Sequence, residues 1–207
     1  MTEKILKAIK ELRENSKKRN FVQTFDLIVN LKEIDLKKPE NKFVEDLILP
    51  NGRGKEAKIV IFSDVIKEEE VNCPVLKSSD IEILAKNKRE AKKLARRTDF
   101  FLAEPKLMPT IGKLLGQFLA PRGKMPKIIS EDVKKMIEDY KKAVRIRIKD
   151  SPVIQCPVGN EEMEDEKVAE NIKAVIEFLI GKLPKGEKNI AEVLLKLTMS
   201  KPVKVEV

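Results

Sequence analysis

The chain has 207 residues, 42% hydrophobic and 37% charged, with 43 lysines and arginines against 34 aspartates and glutamates, a net charge of +9. This describes a folded, heavily charged protein of one large domain or two small ones, and its basic excess favours a polyanionic partner, nucleic acid first and an acidic membrane surface second. Histidine is absent and cysteine occurs twice, which excludes histidine-based catalytic triads and the usual zinc sites, since two thiolates cannot complete a tetrahedral shell.

The opening "MTEKILKAIKELRE" repeats apolar residues at Ile5, Ile9 and Leu12, the stripe of an amphipathic helix. It lacks the apolar centre and cleavage site of a secretory leader, and no run approaches the ~18 apolar residues of a membrane span. "TFDLIVNL" (24–31) and "FVEDLIL" (43–49) read as strands separated by the turn-rich "KKPENK". "AKIVIF" (57–62) is a compact apolar run suited to a buried parallel strand. Behind it, Ser79 and Glu82 form a capping-box signature for a helix through "EILAKNKREAKKLARR". "DFFLA" (99–103) is a second short buried strand, and "LMPTIGKLLGQF" is a short helix broken by glycines. Ser130 is placed to cap a helix carrying Val133, Met136, Ile137 and Tyr140 on one face.

The pattern then changes. "VRIRIKD" (144–150) alternates as a half-buried strand does, with "PVIQCPV" as its expected hairpin partner. The acidic "EEMEDE" (161–166) reads as the solvated start of the longest helix, which turns Val168, Ile172, Val175, Ile176 and Leu179 inward. "IAEVLLKLTMSKPVKVEV" alternates again, as one or two strands. The expected fold is an α+β domain formed by both chain ends (1–57 plus 144–207), interrupted by a three-layer, Rossmann-like α/β domain (58–143). The crossings near 55–58 and 142–145 would make a two-strand hinge. Cys73 and Cys156 stand far apart and read as reduced thiols of a cytosolic protein.

Few stretches carry chemistry. "GRGKEA" (52–57) fits the dinucleotide fingerprint in letters, but a strand follows it where a helix is required, so a tight cationic connection explains its glycines better. There is no Walker loop, and Asp64 and Asp99 at strand ends are not distinguished from other surface acids. The basic "KNKREAKKLARR" (86–97) fits a solvated helix face or an RNA-facing stripe equally well. In "LAPRGKMPK" (119–127), Arg122 and Lys124 flank Gly123 between two prolines, either as a turn that meets an anion or as a rigid turn that buries Met125.

In order, "FVQTFDLIVNLKEIDLKKPENK" with "LPNGRGK", "GKLLGQFLAPRGKMP", "PVGNEEMEDEKVAENIKAVIEFL" and "LKLTMSKPVKV" resemble the ribosomal protein L-one family in its archaeal form, over nearly the whole chain. The resemblance implies a non-enzymatic protein without cofactor or metal, cytoplasmic and monomeric outside the ribosome. Its implied partners are lateral-stalk ribosomal RNA, exit-site tRNA and its own mRNA. The RNA surface it implies lies on the domain made of both termini: Phe21, Gln23 and Thr24, with Thr198, Met199 and Ser200. Hydroxyls of Thr24 and Thr198 would meet ribose 2′-OH groups, and Phe21 and Met199 would pack on ribose or bases. Arg53, Lys55, Arg122 and Lys124 are expected as secondary or hinge-side contacts. The family usually has glycine where this chain has Ser200. Residues 58–143 hold 19 Lys and Arg against 13 Asp and Glu, so the terminal portions are the less basic part, and recognition there must rest on shape and hydrogen bonds more than bulk charge. The rival expectations are an α/β enzyme that clamps a phosphorylated substrate with Arg122 and Lys124, and a general basic RNA-binding protein.

Overall fold

The computed structural model describes residues 2–130 and 132–206. Helix α1 (Thr2–Asn15) buries Ile5, Ala8, Ile9 and Leu12, as its spacing predicts. Strand β1 (Thr24–Leu31) buries every second residue, and β2 (Phe43–Ile48) follows. The middle of the chain contains β3 (Ile59–Phe62), a single turn α2 (Glu68–Val71), β4 (Val75–Leu76), α3 (Ser78–Lys86), α4 (Lys88–Arg97) and β5 (Phe100–Ala103). It continues with α5 (Met108–Leu114), α6 (Gly116–Leu119), β6 (Lys127–Ile128) and α7 (Val133–Lys142). The return comprises β7 (Ala143–Ile148), β8 (Val153–Asn160), α8 (Asp165–Lys182), β9 (Ile190–Leu197) and β10 (Val203–Val205). The alternation read toward the C-terminus runs on to Val207, which lies outside the described residues.

Two compact units result, one of residues 1–56 with 142–207 and one of 57–141. In the terminal unit an antiparallel sheet runs β10-β9-β1-β8, so β1 is flanked by strands from the far end of the chain. Its inward residues Phe25, Leu27, Val29, Ile154, Cys156, Val158, Val193 and Leu195 share one core with α1 and with Val168, Ile172, Val175, Ile176 and Leu179 of α8. In the middle unit the sheet β4-β3-β5-β6 is parallel throughout. Every residue of β3 and β5 is buried, as continuous apolar runs predict for strands covered on both faces. Val60, Phe62, Phe101 and Ala103 pack against α3 to α6, while Phe100, pointing the other way, meets Tyr140 of α7 edge-on at 5.3 Å between ring centroids.

Five local expectations are corrected. The strand at 144–150 does not form a hairpin with its successor: β7 pairs with β2, and β8 with β1. Arg145 of β7 reaches Asp46 of β2 at 2.9 Å, both largely buried, and the Pro152 carbonyl already accepts the Leu31 N–H, which ties the start of β8 to β1. The capping box lies two residues earlier than Ser79 and Glu82, because Asp80 accepts the Lys77 N–H at 2.9 Å and Asp64 accepts that of Ser78 at 2.8 Å. The long helix expected behind it is two, since Asn87 ends α3 and caps α4 by accepting the Glu90 N–H. Ser130 does not cap α7; its hydroxyl faces the Met136 sulfur at 3.7 Å, and the Asp132 carbonyl starts the helix. The helix in "LMPTIGKLLGQF" does break, at Leu115 between α5 and α6 and not at a glycine.

Candidate nucleic-acid interface

Three segments of the terminal unit meet where β1 begins and β9 ends. Gln23, one residue before β1, is held by its backbone: its N–H donates to Glu161 Oε2 at 2.6 Å, and its carbonyl accepts the Glu161 N–H at 3.0 Å. Its side chain turns inward, only 1% exposed, and Oε1 accepts the Met199 N–H at 3.1 Å. The Thr24 N–H donates to Thr198 Oγ1 at 3.0 Å. Beyond Leu197 the chain turns back on Ser200, whose hydroxyl accepts the Leu197 N–H at 2.8 Å and whose N–H donates to the Leu197 carbonyl at 3.0 Å. Residues 21–24 and 198–200 thus form one hydrogen-bonded ridge, from which Phe21 (51% exposed), Val22 and Met199 (60%) project.

The structure therefore brings together all six residues of the implied surface and divides them by role. Phe21 and Met199 are presented to solvent; Gln23 is buried, and the Thr198 and Ser200 hydroxyls already serve the backbone. Ser200 does not occupy the left-handed region, where the only non-glycine residues described are Glu33 and Asn72. A serine closes this turn without strain, and no positive φ demands the glycine common in the family.

Sequence reading missed the support beneath the ridge. Arg13, in the last turn of α1, donates from Nε to Asp165 Oδ1, from Nη1 to the Glu161 carbonyl and from Nη2 to the Met163 carbonyl, each at 2.7 Å. Its guanidinium also stands 5.4 Å from the centroid of the buried Phe25 ring. The acidic stretch 161–166 is therefore not merely solvated: Glu161 and Asp165 bind partners that fix the ridge. The available signal was an arginine beside the apolar stripe of α1 with an acid cluster far along the chain, a pairing that spacing alone does not reveal.

The secondary cations are placed differently. Arg53 and Lys55 lie in the loop after β2, organised by buried Asn171, which donates to the Gly52 and Val158 carbonyls and accepts the Asn51 N–H. Arg53 donates to the Lys55 carbonyl, and Lys55 is exposed. In the middle unit, the Lys124 ammonium donates to the carbonyls of Ala95 and Thr98, capping the C-terminal end of α4. Gly123 adopts φ +66°, and Pro126, not Met125, is the buried residue of that turn. Of the two cations of the expected anion clamp, Lys124 is thus engaged at the end of a helix. Asp64 and Asp99 likewise accept backbone N–H groups, of Ser78 and Lys58.

Burial pushes the Cys156 thiol up to about 12, with the Asp26 carboxylate adding to the effect, and Cys156 and Cys73 are both buried and outside any disulfide. Asp26 is itself raised, first by burial, against the opposing pull of Lys196. Among the described residues no cluster of three or more Cys, Asp or Glu is placed to hold a metal ion, and no helix is long and apolar enough to cross a membrane.

The ridge thus presents two large apolar side chains, Phe21 and Met199, on a backbone fixed from behind. Residues 12–201 match the Ribosomal protein L1p/L10e family, and the chain belongs to it. It is accordingly a ribosomal protein and not an enzyme. Among similar proteins, the large ribosomal subunit protein uL1 of Pyrococcus horikoshii is 46% identical over 210 residues, covering 99% of this chain and 96% of its own. The uL1 of Methanocaldococcus jannaschii is 46% identical over 209 residues (99% and 95%), and that of Methanobrevibacter smithii 42% over 211 (99% and 100%).

Proposed function

We propose that this protein is a constituent of the large ribosomal subunit in a cytoplasmic ribosome, where its terminal unit grips lateral-stalk ribosomal RNA near the tRNA exit site. It assists the release of deacylated tRNA and, by binding an imitation of the ribosomal site, represses translation of its own mRNA. On this reading the middle unit is a three-layer, Rossmann-like domain inserted into an RNA-binding α+β domain, with the crossings near 55–58 and 142–145 as hinge strands. Arg53, Lys55, Arg122 and Lys124 add peripheral contacts, and the protein is a monomer away from the ribosome.

The observation that carries the proposal is the Phe21–Met199 ridge. Two large apolar side chains stand exposed where the backbone beneath them is hydrogen-bonded from three segments. Such preorganised side chains suit packing on ribose or unstacked bases, each stacked base being worth about 1–3 kcal/mol, while exposed Thr198 retains lone-pair capacity for a 2′-OH.

The test is binding to a stalk ribosomal RNA fragment beside a scrambled hairpin. Wild type should prefer the fragment by on the order of 10³. Phe21→Ala should lose about 10- to 100-fold on the fragment, Met199→Ala a smaller factor, and both nearly nothing on the hairpin. Equal affinity for both RNAs in the wild type would sink the proposal and leave a general basic RNA-binding protein.

A further inference from the structure

The outer face of α4 carries a dense cluster of cations on the middle unit, apart from the ridge. The helix carries Lys88, Arg89, Lys92, Lys93, Arg96 and Arg97, all exposed, while Ala91 and Ala95 face the core. At 3.6 residues per turn the six cations cover a continuous arc of roughly 180°. Only Lys93 has an acid partner among the described residues, Glu90 at 3.8 Å.

Arg96 and Arg97, in the last turn, suit the helix dipole, but the rest of the arrangement does not serve the helix. Lys88 and Arg89 sit in its first turn, beside the positive end of the macrodipole. Lys88–Lys92, Lys92–Arg96, Arg89–Lys93 and Lys93–Arg97 are like-charge i,i+4 pairs, each of which opposes helix formation. Stability comes from elsewhere: the buried alanines, the Asn87 cap and the Lys124 ammonium on the last carbonyls. A self-repelling face with its own compensation is what a polyanion relieves.

We infer that α4 binds the phosphate backbone of duplex RNA without regard to sequence. The arc presents no apolar side chain to insert between lipids, and the apolar side of the helix is already buried in the protein, so an interfacial membrane helix does not fit. The i,i+4 rows advance about 6 Å per step along the helix, a spaced comb of charges for phosphates, and the deep, narrow major groove of an A-form duplex keeps the arginines among them from the base edges.

The test uses the full chain and a short A-form RNA duplex of scrambled sequence, titrated across salt concentrations. Arg89→Gln/Lys92→Gln/Arg96→Gln is compared with Lys7→Gln/Lys10→Gln/Lys37→Gln, which removes the same charge from exposed positions elsewhere. The α4 variant should flatten the log–log salt slope by roughly 2–3, at about 0.7–0.9 per lost phosphate contact, and should melt no lower than wild type because repulsions are removed. The control should flatten it by less than about 1. Equal flattening in both variants, or none in the first, overturns the inference; so does a loss confined to anionic lipid vesicles, which would assign the face to membranes. Stalk-fragment selectivity is read separately with Phe21→Ala, so failure of the ridge and failure of α4 are distinguishable.

Discussion

Arg13 supports the ridge from behind by fixing the segment that holds Gln23. Its three donors each have a separate acceptor, with side-chain exposures of 32% for Arg13 and 21% for Asp165. Arg13→Met should cost about 2–4 kcal/mol in urea unfolding, the range for hydrogen bonds to a charged group when its partners are left unpaired. Arg13→Lys should recover little, because a point ammonium cannot serve three acceptors in a plane. Asp26 gives a pH-dependent expectation. Its folded-state pKa is raised, so the folded protein holds the proton more tightly, and stability falls as pH rises from the ordinary 3.8 through the folded value. Asp26→Asn should therefore melt higher than wild type at pH 7, the gain vanishing as pH falls toward 3.8; equal melting curves at pH 7 would contradict this. Neither effect was legible in the sequence. Arg13 and Glu161 are 148 positions apart, and Gln23 looks like any polar residue before a strand although it is buried with no partner for Nε2 among the described residues.

At the level of elements, local periodicity was informative and pairing was not. The run 24–31 became β1 with unchanged bounds because its alternation is complete, and α8 buries each of the five residues expected. The hairpin after residue 150 failed because adjacency in sequence says nothing of which strand offers the better partner; Asp46 opposite Arg145 settled it. Two element-level outcomes follow. Gly54 has φ +79°, and a Cβ there would stand 2.4 Å from Asn160 Cγ. Gly54→Ala should lower stability by about 1–3 kcal/mol in denaturant unfolding. Lys124→Met should destabilise the middle unit by about 1–2 kcal/mol through loss of the α4 cap while leaving stalk-fragment affinity nearly unchanged; a large affinity loss would restore the anion-clamp reading.

For the whole molecule, the two units have separate hydrophobic clusters. The terminal unit also does not need the middle one to close its chain. Ile48 of β2 faces Ala143 of β7, and the Leu49 N–H reaches the Lys142 carbonyl at 3.4 Å, so the two cut ends are already neighbours. Replacing residues 57–141 with a short Gly–Ser link should leave a cooperatively unfolding protein that keeps the ridge, because a short link closes at small entropic cost. Loss of cooperative unfolding in that protein would refute the expectation.

The position of β1 between β8 and β9 also sets a timetable. Thr24 and Thr198 are 174 positions apart, so at typical elongation rates the first half of the ridge waits on the order of 10–30 s for the second. Over that interval the middle segment, with its nearer contacts, can fold while β1 has neither neighbour. A nascent chain therefore lacks the completed ridge until its last strands emerge.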